Sequence, residues 1–507
     1  MSMQTQPNSR ADICLLLEGT WPYVRGGVSS WINQMILGMP EVTFSIVFIG
    51  GSREAYSERQ YAIPENVMHI EEIYLEDTWS RNTDLPLSIK EPKHTEALSA
   101  FYSFLHSPDT PNHAQGERVL DALVHGKITR DVVMRSQASW ETLCADYQQH
   151  CTDPSFIDFF WTLRTMQAPL LALTELAQRL PQARAVHAIS TGYAGFMGCV
   201  LRKLWGCNFI LSEHGIYTKE RKIDLAQAQW IAEYPDQAFR GGLNFNSSYM
   251  RALWIRFFER LGLLIYQAAD PIVSLYDGNR QRQIRDGADV ERTQVIPNGI
   301  NLLDWQDALA SRVSNSVPTV GLIGRIVPIK DIKNFIRSIR SVMRQVPEVQ
   351  AWIVGPEEED RHYVSECRSL VSSLGLQAHI KFLGFQSIKE ILPKLDVMVL
   401  SSISEAQPLV ILEAWAAGTP VVATDVGACS ELLYGITPED KALGAAGELV
   451  AIADPLAIAR SICTILGDHE HWLKLQSNGL ARVNQFYSEA LMFDRYRTIY
   501  NNSIEKY

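Results

Sequence analysis

The sequence predicts an α/β protein built on two doubly wound parallel sheets, and three features of the chain support this fold class. Short apolar runs alternate with helical patterns in the N-terminal region and again in the C-terminal region. Such runs suit strands buried on both faces of a parallel sheet, and their alternation with helices suits right-handed βαβ units. Residues 91–180 instead show helical periodicity with few strand signals, which predicts a mostly helical insertion in the first region.

The composition is that of an ordinary globular protein with more than one core. The chain has 507 residues, of which 46% are apolar and 20% charged. Its net charge of −11 argues against a chain held mainly to nucleic acid or anionic lipid, and leaves open a local basic patch. The sequence has no long apolar run, no apolar signal core at its start and no C-x-x-C among its eight cysteines. We therefore expect a cytoplasmic protein without disulfides, structural zinc or a nucleic acid partner.

The N-terminal domain is predicted to span residues 1–304. Its first strand, 13–17, leads to a turn at Gly26-Gly27 and to a helix capped by Ser29 or Ser30. The remaining apolar runs predict strands at 44–49, 67–73, 185–189, 209–212, 271–275 and 295–296. Helical patterns after the insertion lie at 192–205, at 250–267 and through Ile284.

The C-terminal domain is predicted to span residues 317–487, after a polar segment, 305–316, that suits a hinge. Five apolar runs, each followed by a helical pattern, predict parallel strands at 319–323, 351–354, 380–383, 397–400 and 420–423. The last helix, 488–507, is predicted to cross back to the N-terminal domain.

Glycines and basic side chains follow the predicted strands of the C-terminal sheet. Gly324, Arg325 and Lys330 come after its first strand. Ligands of doubly wound sheets bind beyond the carboxyl ends of the strands. An arginine fork, a lysine ammonium and a closely approaching glycine backbone suit a diphosphate at that edge.

Two glutamates flank a predicted helix start in the same domain. Glu405 precedes Pro408, and Glu413 lies about a turn and a half inside the helix. Helix N-termini bind phosphate through N–H groups and the positive end of the dipole, and carboxylates accept hydrogen bonds from ribose or sugar hydroxyls. Glutamates at this spacing also recur elsewhere in the chain, so the surrounding residues carry the signal.

The stretch 404–427, together with Gly324-Arg325, Lys330 and Pro297-Asn298-Gly299, closely resembles the retaining glycosyltransferases of family 4, which have the GT-B fold. The resemblance covers both α/β regions. It implies two Rossmann-like domains facing a cleft, a nucleotide sugar held by the C-terminal domain, and no metal or other cofactor. It also implies that Arg325 and Lys330 grip the diphosphate, Glu405 the transferred sugar and Glu413 the ribose.

The resemblance assigns further donor contacts. It implies that backbone N–H groups near Gln407, Pro408 and Leu409 face the phosphate or sugar, with Gly324 beside them and Gly384 and Phe385 against the base. Many members have a glycine shortly after the first glutamate, where this chain has Ala406-Gln407. We therefore expect a differently shaped sugar-binding loop.

The N-terminal region narrows the resemblance. Residues 17–31, the helical insertion and residues 212–221 look like the cytosolic glycosyltransferases of bacterial Pel exopolysaccharide synthesis. This implies a UDP-sugar donor, a growing polysaccharide acceptor, and docking to Pel proteins at the inner face of the inner membrane. Gly26 and Gly27 are expected to bring N–H groups to the leaving phosphate, and a tight turn that needs glycine is an equal alternative.

Several N-terminal side chains are candidates for the reacting or acceptor side. Family members often place a histidine of the catalytic region where this chain has His187, although the usual second histidine is replaced by Ile189. A structural histidine is the alternative for His187 and for His214. Glu18, His214, Tyr217 and Lys219 are assigned to the acceptor side, with a solvated charged loop as the alternative for the last two.

The resemblance implies transfer with retention by front-face attack. The departing phosphate takes the proton of the acceptor hydroxyl, while Arg325, Lys330 and helix N–H groups stabilise the growing negative charge. Two other functions stay open. A UDP-sugar epimerase needs no polymer acceptor, and a non-catalytic nucleotide-sugar-binding component of a membrane synthase complex binds without releasing UDP.

Overall fold

A computed structural model describes residues 10–56, 58–80, 95–107, 113–153, 155–228, 230–231, 249–312 and 316–505. The chain divides into two compact units. Unit 1 consists of Met1–Ser274, Arg280–Gln294 and Tyr496–Tyr507, and unit 2 of Leu275–Asn279 and Val295–Arg495. Each unit contains its own sheet of parallel strands flanked by helices, so the predicted fold class of two doubly wound α/β domains is confirmed.

The strands of the first sheet are β1 (Ala11–Glu18), β2 (Phe44–Gly50), β3 (Val67–Tyr74), β4 (Ala183–Ala188), β5 (Asn208–Glu213), β6 (Ile272–Ser274) and β7 (Thr293–Val295). Their order is β3-β2-β1-β4-β5-β6-β7, and the neighbours from β3 to β6 run parallel. Residues 13–17 of β1 are each at most 2% exposed. This is the burial that an uninterrupted apolar run predicts for a central parallel strand.

The helices from the start of the chain to residue 285 are α1 (Gly27–Gly38), α2 (Asp77–Ser80), α3 (Thr95–His106), α4 (His113–Val124), α5 (Arg130–Arg135), α6 (Gln137–His150), α7 (Phe156–Ala177), α8 (Tyr193–Trp205), α9 (Tyr217–Gln227), α10 (Tyr249–Ala268) and α11 (Asp277–Arg285). The described residues of the predicted insertion form helices α3 to α7 and no strand. The predicted serine cap of α1 is wrong, because α1 begins at Gly27 and no side chain caps it. Ser29 lies inside the helix and is buried.

The strands of the second sheet are β8 (Thr319–Ile323), β9 (Gln350–Val354), β10 (Ile380–Gly384), β11 (Val397–Leu400), β12 (Val421–Thr424) and β13 (Gly447–Val450). They run parallel in the order β10-β9-β8-β11-β12-β13. Five of them were predicted. β13 was missed because its sequence, GELV, contains too short an apolar run to stand out.

The helices of the remaining chain are α12 (Gln306–Ala310), α13 (Ile332–Val342), α14 (Arg361–Ser373), α15 (Ile388–Ile391), α16 (Leu409–Ala416), α17 (Cys429–Tyr434), α18 (Pro438–Ala442), α19 (Pro455–Gly467), α20 (His469–Phe486) and α21 (Glu489–Glu505). They cover both faces of the second sheet. Val397 and Val399 of β11 belong to one buried cluster, and the alternating Met398 and Leu400 belong to the other. Strand periodicity therefore supplies both layers of the core.

The segment 305–316, predicted to be a hinge, is placed differently by the structure. Its described residues belong to unit 2, where Trp305 and Ala308 are each only 6% exposed and pack into the core. Residues 313–315 lie outside the described part of the chain. The chain passes between the units at residues 274–275, within α11, at residues 294–295, and within α21. Across the described ranges, none of the helices combines the length and the hydrophobicity that a bilayer crossing requires.

Candidate active site

The second sheet has its topological switch point between β8 and β11. From β8 the chain continues outward through β9 to β10, whereas from β11 it continues in the opposite direction through β12 to β13. The loops that leave these two neighbouring strands diverge, and such a crevice is where doubly wound sheets bind ligands. Lys330 follows β8 and Glu405 follows β11, so the sequence places one cation and one carboxylate at this crevice.

Lys330 and Glu405 form an ion pair at the switch point. The Lys330 ammonium donates to Glu405 Oε1 at 2.6 Å, and the two side chains are 17% and 15% exposed. The two loops are also joined by the Ser401 hydroxyl, which donates to the Lys330 carbonyl at 2.8 Å. The predicted proximity of these two functional candidates is present in the structure.

A third loop, after β12, supports the Glu405 loop. Ala428 N–H donates to the Ala406 carbonyl at 2.8 Å. Gly427 has φ +54°, and a Cβ there would lie 2.3 Å from the Glu405 carbonyl oxygen. Both the backbone conformation and the space therefore require glycine at this position.

Gln407 has a structural role that its assignment to donor binding did not include. Its side-chain oxygen accepts from the Asn298 N–H at 2.7 Å, and its amide donates to the Asn298 carbonyl at 3.3 Å. The side chain is buried and fixes the turn 297–299 against the Glu405 loop. The Ala406-Gln407 segment, where many family members have a glycine, thus carries an internal bridge.

Helix α16 begins immediately after this loop. Pro408 precedes its first residue, Leu409, and no side chain caps it in the described chain. The N–H groups of the first turn and the positive end of the helix dipole are therefore available to an anion. The structure thus gives Pro408 and Leu409 the position that the sequence predicted for them.

Glu413 lies farther along α16, in a partly buried position. Burial raises the pKa of its carboxyl from 4.5 to about 7, and the positive charge of Lys389 opposes this rise. Hydroxyl groups that donate hydrogen bonds to such a buried carboxyl stabilise its ionised form, because they replace the water lost on burial. The contact of Glu413 with ribose hydroxyls stays a prediction.

Arg325 does not join the Lys330–Glu405 pair. Its Nη1 donates to both carboxylate oxygens of Glu359, at 2.7 and 2.8 Å, and its side chain is 56% exposed. The acidic segment 357–360 thus supplies the partner of Arg325. An anionic ligand would have to replace Glu359 to use this guanidinium.

Glycines shape the rim of the same edge. A Cβ at Gly355 would lie 1.9 Å from the Gly324 carbonyl oxygen, so the loops after β8 and β9 approach too closely for a side chain. Gly384, with φ +64°, ends β10. Phe385 follows it and is 83% exposed, which leaves its ring face open, as contact with a planar base requires.

The first sheet has its own switch point, between β1 and β4, and Glu18 ends β1 there. One carboxylate oxygen accepts from the Tyr217 hydroxyl at 2.7 Å. The other accepts at 3.3 Å from the Ser190 hydroxyl and from Ala194 N–H in the first turn of α8. Glu18 and Tyr217 thus meet at a crevice, where the sequence had assigned both to the acceptor side.

Glu213 is a buried carboxylate that the sequence analysis did not assign. It accepts hydrogen bonds from Thr191, Tyr266 and Gln283 side chains at 2.7 to 2.9 Å, and from Tyr217 N–H at 3.4 Å. Burial raises the pKa of this carboxyl, and the donated hydrogen bonds oppose the rise. Glu213 fixes the segment that carries His214 and Tyr217. The sequence did not reveal this role, because a glutamate at the end of a strand does not indicate that its side chain is buried.

The structure contradicts a reacting role for His187. The side chain is fully buried, with Nδ1 2.9 Å from the Tyr500 hydroxyl and Nε2 2.8 Å from the Ser212 hydroxyl. Burial lowers the pKa of its imidazole to about 3. Both ring nitrogens are occupied in the core of unit 1, so His187 is the structural histidine of the two alternatives.

His214 and Lys219 differ in their surroundings. Burial lowers the pKa of His214 to about 4, and its ring lies edge-on to Trp31 with centroids 4.7 Å apart. Its Nε2 has no hydrogen-bond partner within the described ranges. Lys219 is exposed, but it lies in helix α9 and not in the solvated loop that was the alternative.

Glycine is not required by the local structure at Gly26 or Gly27, where α1 begins. Gly26 has φ 170°, which any residue adopts, and Gly27 has no positive φ. A Cβ at either position would meet nothing within 4 Å. The alternative of a turn that needs glycine is therefore not supported. In the described part of the chain, groups of three or more metal-ligating side chains are not found.

Two family models match the chain. The model of a domain of unknown function, DUF3492, matches residues 11–291, and the model described as glycosyl transferases group 1 matches residues 317–468. Together the matches cover every strand of the two sheets except β7.

The chain matches curated relatives over only part of their length. The chain is 27% identical to the D-inositol 3-phosphate glycosyltransferase of Nocardia farcinica over 235 residues, which cover 44% of this chain and 50% of the relative. It is 33% identical to the lipopolysaccharide core biosynthesis glycosyltransferase LpsE of Rhizobium meliloti, over 34% of this chain and 47% of the relative. The chain thus spans about half the length of these relatives.

Solved structures resemble the whole chain in fold. A sucrose-phosphate synthase from Thermosynechococcus elongatus has a TM-score of 0.57 at 18% identity, covering 97% of this chain and 100% of that one. Anabaena Alr3699/HepE, solved in complex with UDP, has a TM-score of 0.56 at 14% identity, covering 97% and 99%. At these identities the comparison establishes the GT-B fold.

Proposed function

This chain belongs to the DUF3492 family and continues into a glycosyl transferases group 1 domain, and from this premise we propose that it is a retaining glycosyltransferase. It moves a hexose or N-acetylhexosamine from a UDP-sugar to a growing exopolysaccharide. The carrying observation is the Lys330–Glu405 pair of 2.6 Å at the switch point of the second sheet.

The pair offers two functions at one place. The Lys330 ammonium can stabilise a diphosphate, and the Glu405 carboxylate can accept hydrogen bonds from sugar hydroxyls. The uncapped start of α16 adds N–H donors beside them. A nucleotide diphosphate sugar contains both the anion and the hydroxyls that this arrangement requires.

The proposed reaction needs no protein nucleophile. The bond between the sugar carbon and the diphosphate oxygen breaks, and a bond from the acceptor hydroxyl oxygen to the same carbon forms on the same face. The hydroxyl proton passes to the departing phosphate oxygen. Lys330 and the α16 N–H groups stabilise that oxygen, and Arg325 joins them when the diphosphate replaces Glu359.

The rest of the donor is assigned to the neighbouring loops. Glu413 is proposed to bind the ribose hydroxyls, and the exposed Phe385 ring to stack on the base. In unit 1, Glu18 and Tyr217 are proposed to bind hydroxyls of the acceptor. No metal ion or other cofactor is included in this mechanism.

The choice of UDP is supported by neighbours of the same fold. Anabaena Alr3699/HepE was solved with UDP, and in a second structure with UDP and glucose. The N-terminal motifs support a finer proposal, that the chain acts as PelF does in Pel exopolysaccharide synthesis. In that case it works in the cytoplasm and docks to Pel proteins at the inner membrane.

Calorimetry followed by a turnover assay tests the proposal. We expect UDP and a UDP-sugar to bind the full chain, while GDP and ADP bind more weakly, and we expect UDP release only when membranes with acceptor are added. If the UDP-sugar were epimerised in the absence of acceptor, the protein would be an epimerase and not a transferase. If the chain bound the UDP-sugar but released no UDP with any acceptor, it would be a non-catalytic nucleotide-sugar-binding component.

A further inference from the structure

Helix α13 presents a basic face that the proposed activity does not use. Residues 333–344 contain four basic and no acidic side chains, in a chain whose net charge is −11. Lys333, Arg337 and Arg340 recur every three or four residues on the helix, and Arg344 follows in the next turn. Arg337, Arg340 and Arg344 are exposed. Side chains at this spacing share one face of a helix.

The opposite face of α13 fixes the helix to the sheet. Ile332, Phe335, Ile336, Ile339 and Val342 are all fully buried in one core cluster. The helix therefore cannot rotate its cations away from solvent. The basic face is a permanent feature of the surface of unit 2.

The face continues into a groove of about 440 Å³ shared with α14. Lys333 and Arg337 line one side, and His362, Ser365, Ser369 and Ser373 line the other. The three serines are four residues apart and so stand in a row along α14. One acid lines the groove, Glu366, which accepts from Lys333 at 2.8 Å.

We infer that the face formed by Lys333, Arg337, Arg340 and Arg344, with the adjoining serine groove, binds the anionic headgroups of a phospholipid membrane. The exposed guanidinium groups of Arg337, Arg340 and Arg344, spread along about 10 Å of helix, match an array of separate charges better than a single small anion. Hydroxyls and cations are the donors that a phosphodiester accepts from.

Charge complementarity favours a membrane over a protein partner. Stable protein interfaces contain an apolar core with aromatic or aliphatic anchors. Between residues 333 and 373, all of which are described, no large apolar side chain is exposed. Attraction of exposed cations to an anionic lipid surface needs no such core, and it weakens with salt.

Sedimentation of the full chain with vesicles tests the inference. We expect binding to equimolar phosphatidylcholine and phosphatidylglycerol at low salt, loss at high salt, and no binding to phosphatidylcholine alone. Arg337→Gln with Arg340→Gln should weaken binding about 30-fold, at about 1 kcal/mol for each basic residue. Lys381→Gln with Lys441→Gln changes the net charge equally at exposed positions elsewhere in unit 2 and should leave binding unchanged.

A variant with the opposite effect excludes a failure of folding. Glu366→Gln removes the acid from the groove and should strengthen vesicle binding about fivefold. Equal binding to neutral vesicles, or equal losses in the arginine and lysine pairs, would overturn the inference. The inference would also be overturned if neither the unchanged chain nor Glu366→Gln bound the vesicles. Binding of an acidic polypeptide such as polyglutamate would not rescue it. Because the readout is lipid binding without donor, its failure leaves the proposed transferase untouched.

Discussion

Replacing Lys330 by alanine removes the ammonium that lies 2.6 Å from Glu405 at the switch point of the second sheet. Because both side chains keep some exposure, 17% and 15%, water can reach the remaining carboxylate. Loss of a hydrogen bond between charged groups costs about 1.5–3 kcal/mol of folding free energy. A protein with the usual stability of about 5–15 kcal/mol stays folded after such a loss.

The expected effect on transfer is much larger than the effect on folding. Lys330 is proposed to stabilise charge that grows on the leaving phosphate, and loss of one such donor typically lowers the rate by about 10²–10³. This corresponds to about 2.7–4 kcal/mol of transition-state stabilisation. We expect kcat to fall by this factor, with UDP affinity also reduced.

UDP release with acceptor-containing membranes measures the rate, and denaturant unfolding measures stability. Lys203→Ala is the matched control, because Lys203 forms a pair of the same length, 2.6 Å, with Glu117 at 24% and 26% exposure. This pair joins α8 and α4 in unit 1 and should affect stability alone. A folded Lys330→Ala chain with turnover within threefold of the unchanged protein would refute the assignment.

Three further outcomes follow from the environments of single residues. Burial raises the pKa of Glu413 from 4.5 to about 7, so its contribution to stability is present below about pH 4.5 and is lost as pH rises through 7. Unfolding curves should show this loss, at most about 1.4 kcal/mol per pH unit, and Glu413→Gln should remove it. Burial lowers the pKa of His187 from 6.5 to about 3, so its contribution is present above pH 6.5 and is lost as pH falls toward 3. His187→Phe should flatten that acid limb in an unfolding series and cost about 1–3 kcal/mol at neutral pH, and an unchanged acid limb would contradict this. Gly427→Ala should destabilise the chain by about 3 kcal/mol or more and weaken UDP binding in calorimetry. Gly375→Ala, at φ +68° with nothing within 4 Å of the new Cβ, should cost only about 1 kcal/mol and leave UDP binding intact.

Patterns local in sequence were sufficient for the fold class and for part of the site. The apolar runs that became β1, β8 and β11 are buried on both faces, and burial of this kind is written in consecutive residues. The positions of Lys330 and Glu405 followed from the same patterns, because parallel strands deliver the residues after them to one edge.

Only the tertiary structure decided what each of the predicted side chains contacts. Arg325 is paired with Glu359, and Gln407 with the Asn298 backbone. His187 is enclosed by Tyr500 and Ser212, which are 313 and 25 residues away along the chain. The sequence alone determined which residues arrive at the ends of the strands, since local periodicity sets the elements. The partners, the burial and the resulting pKa values depend on segments distant in sequence, and these are brought together only when both sheets and their covering helices pack.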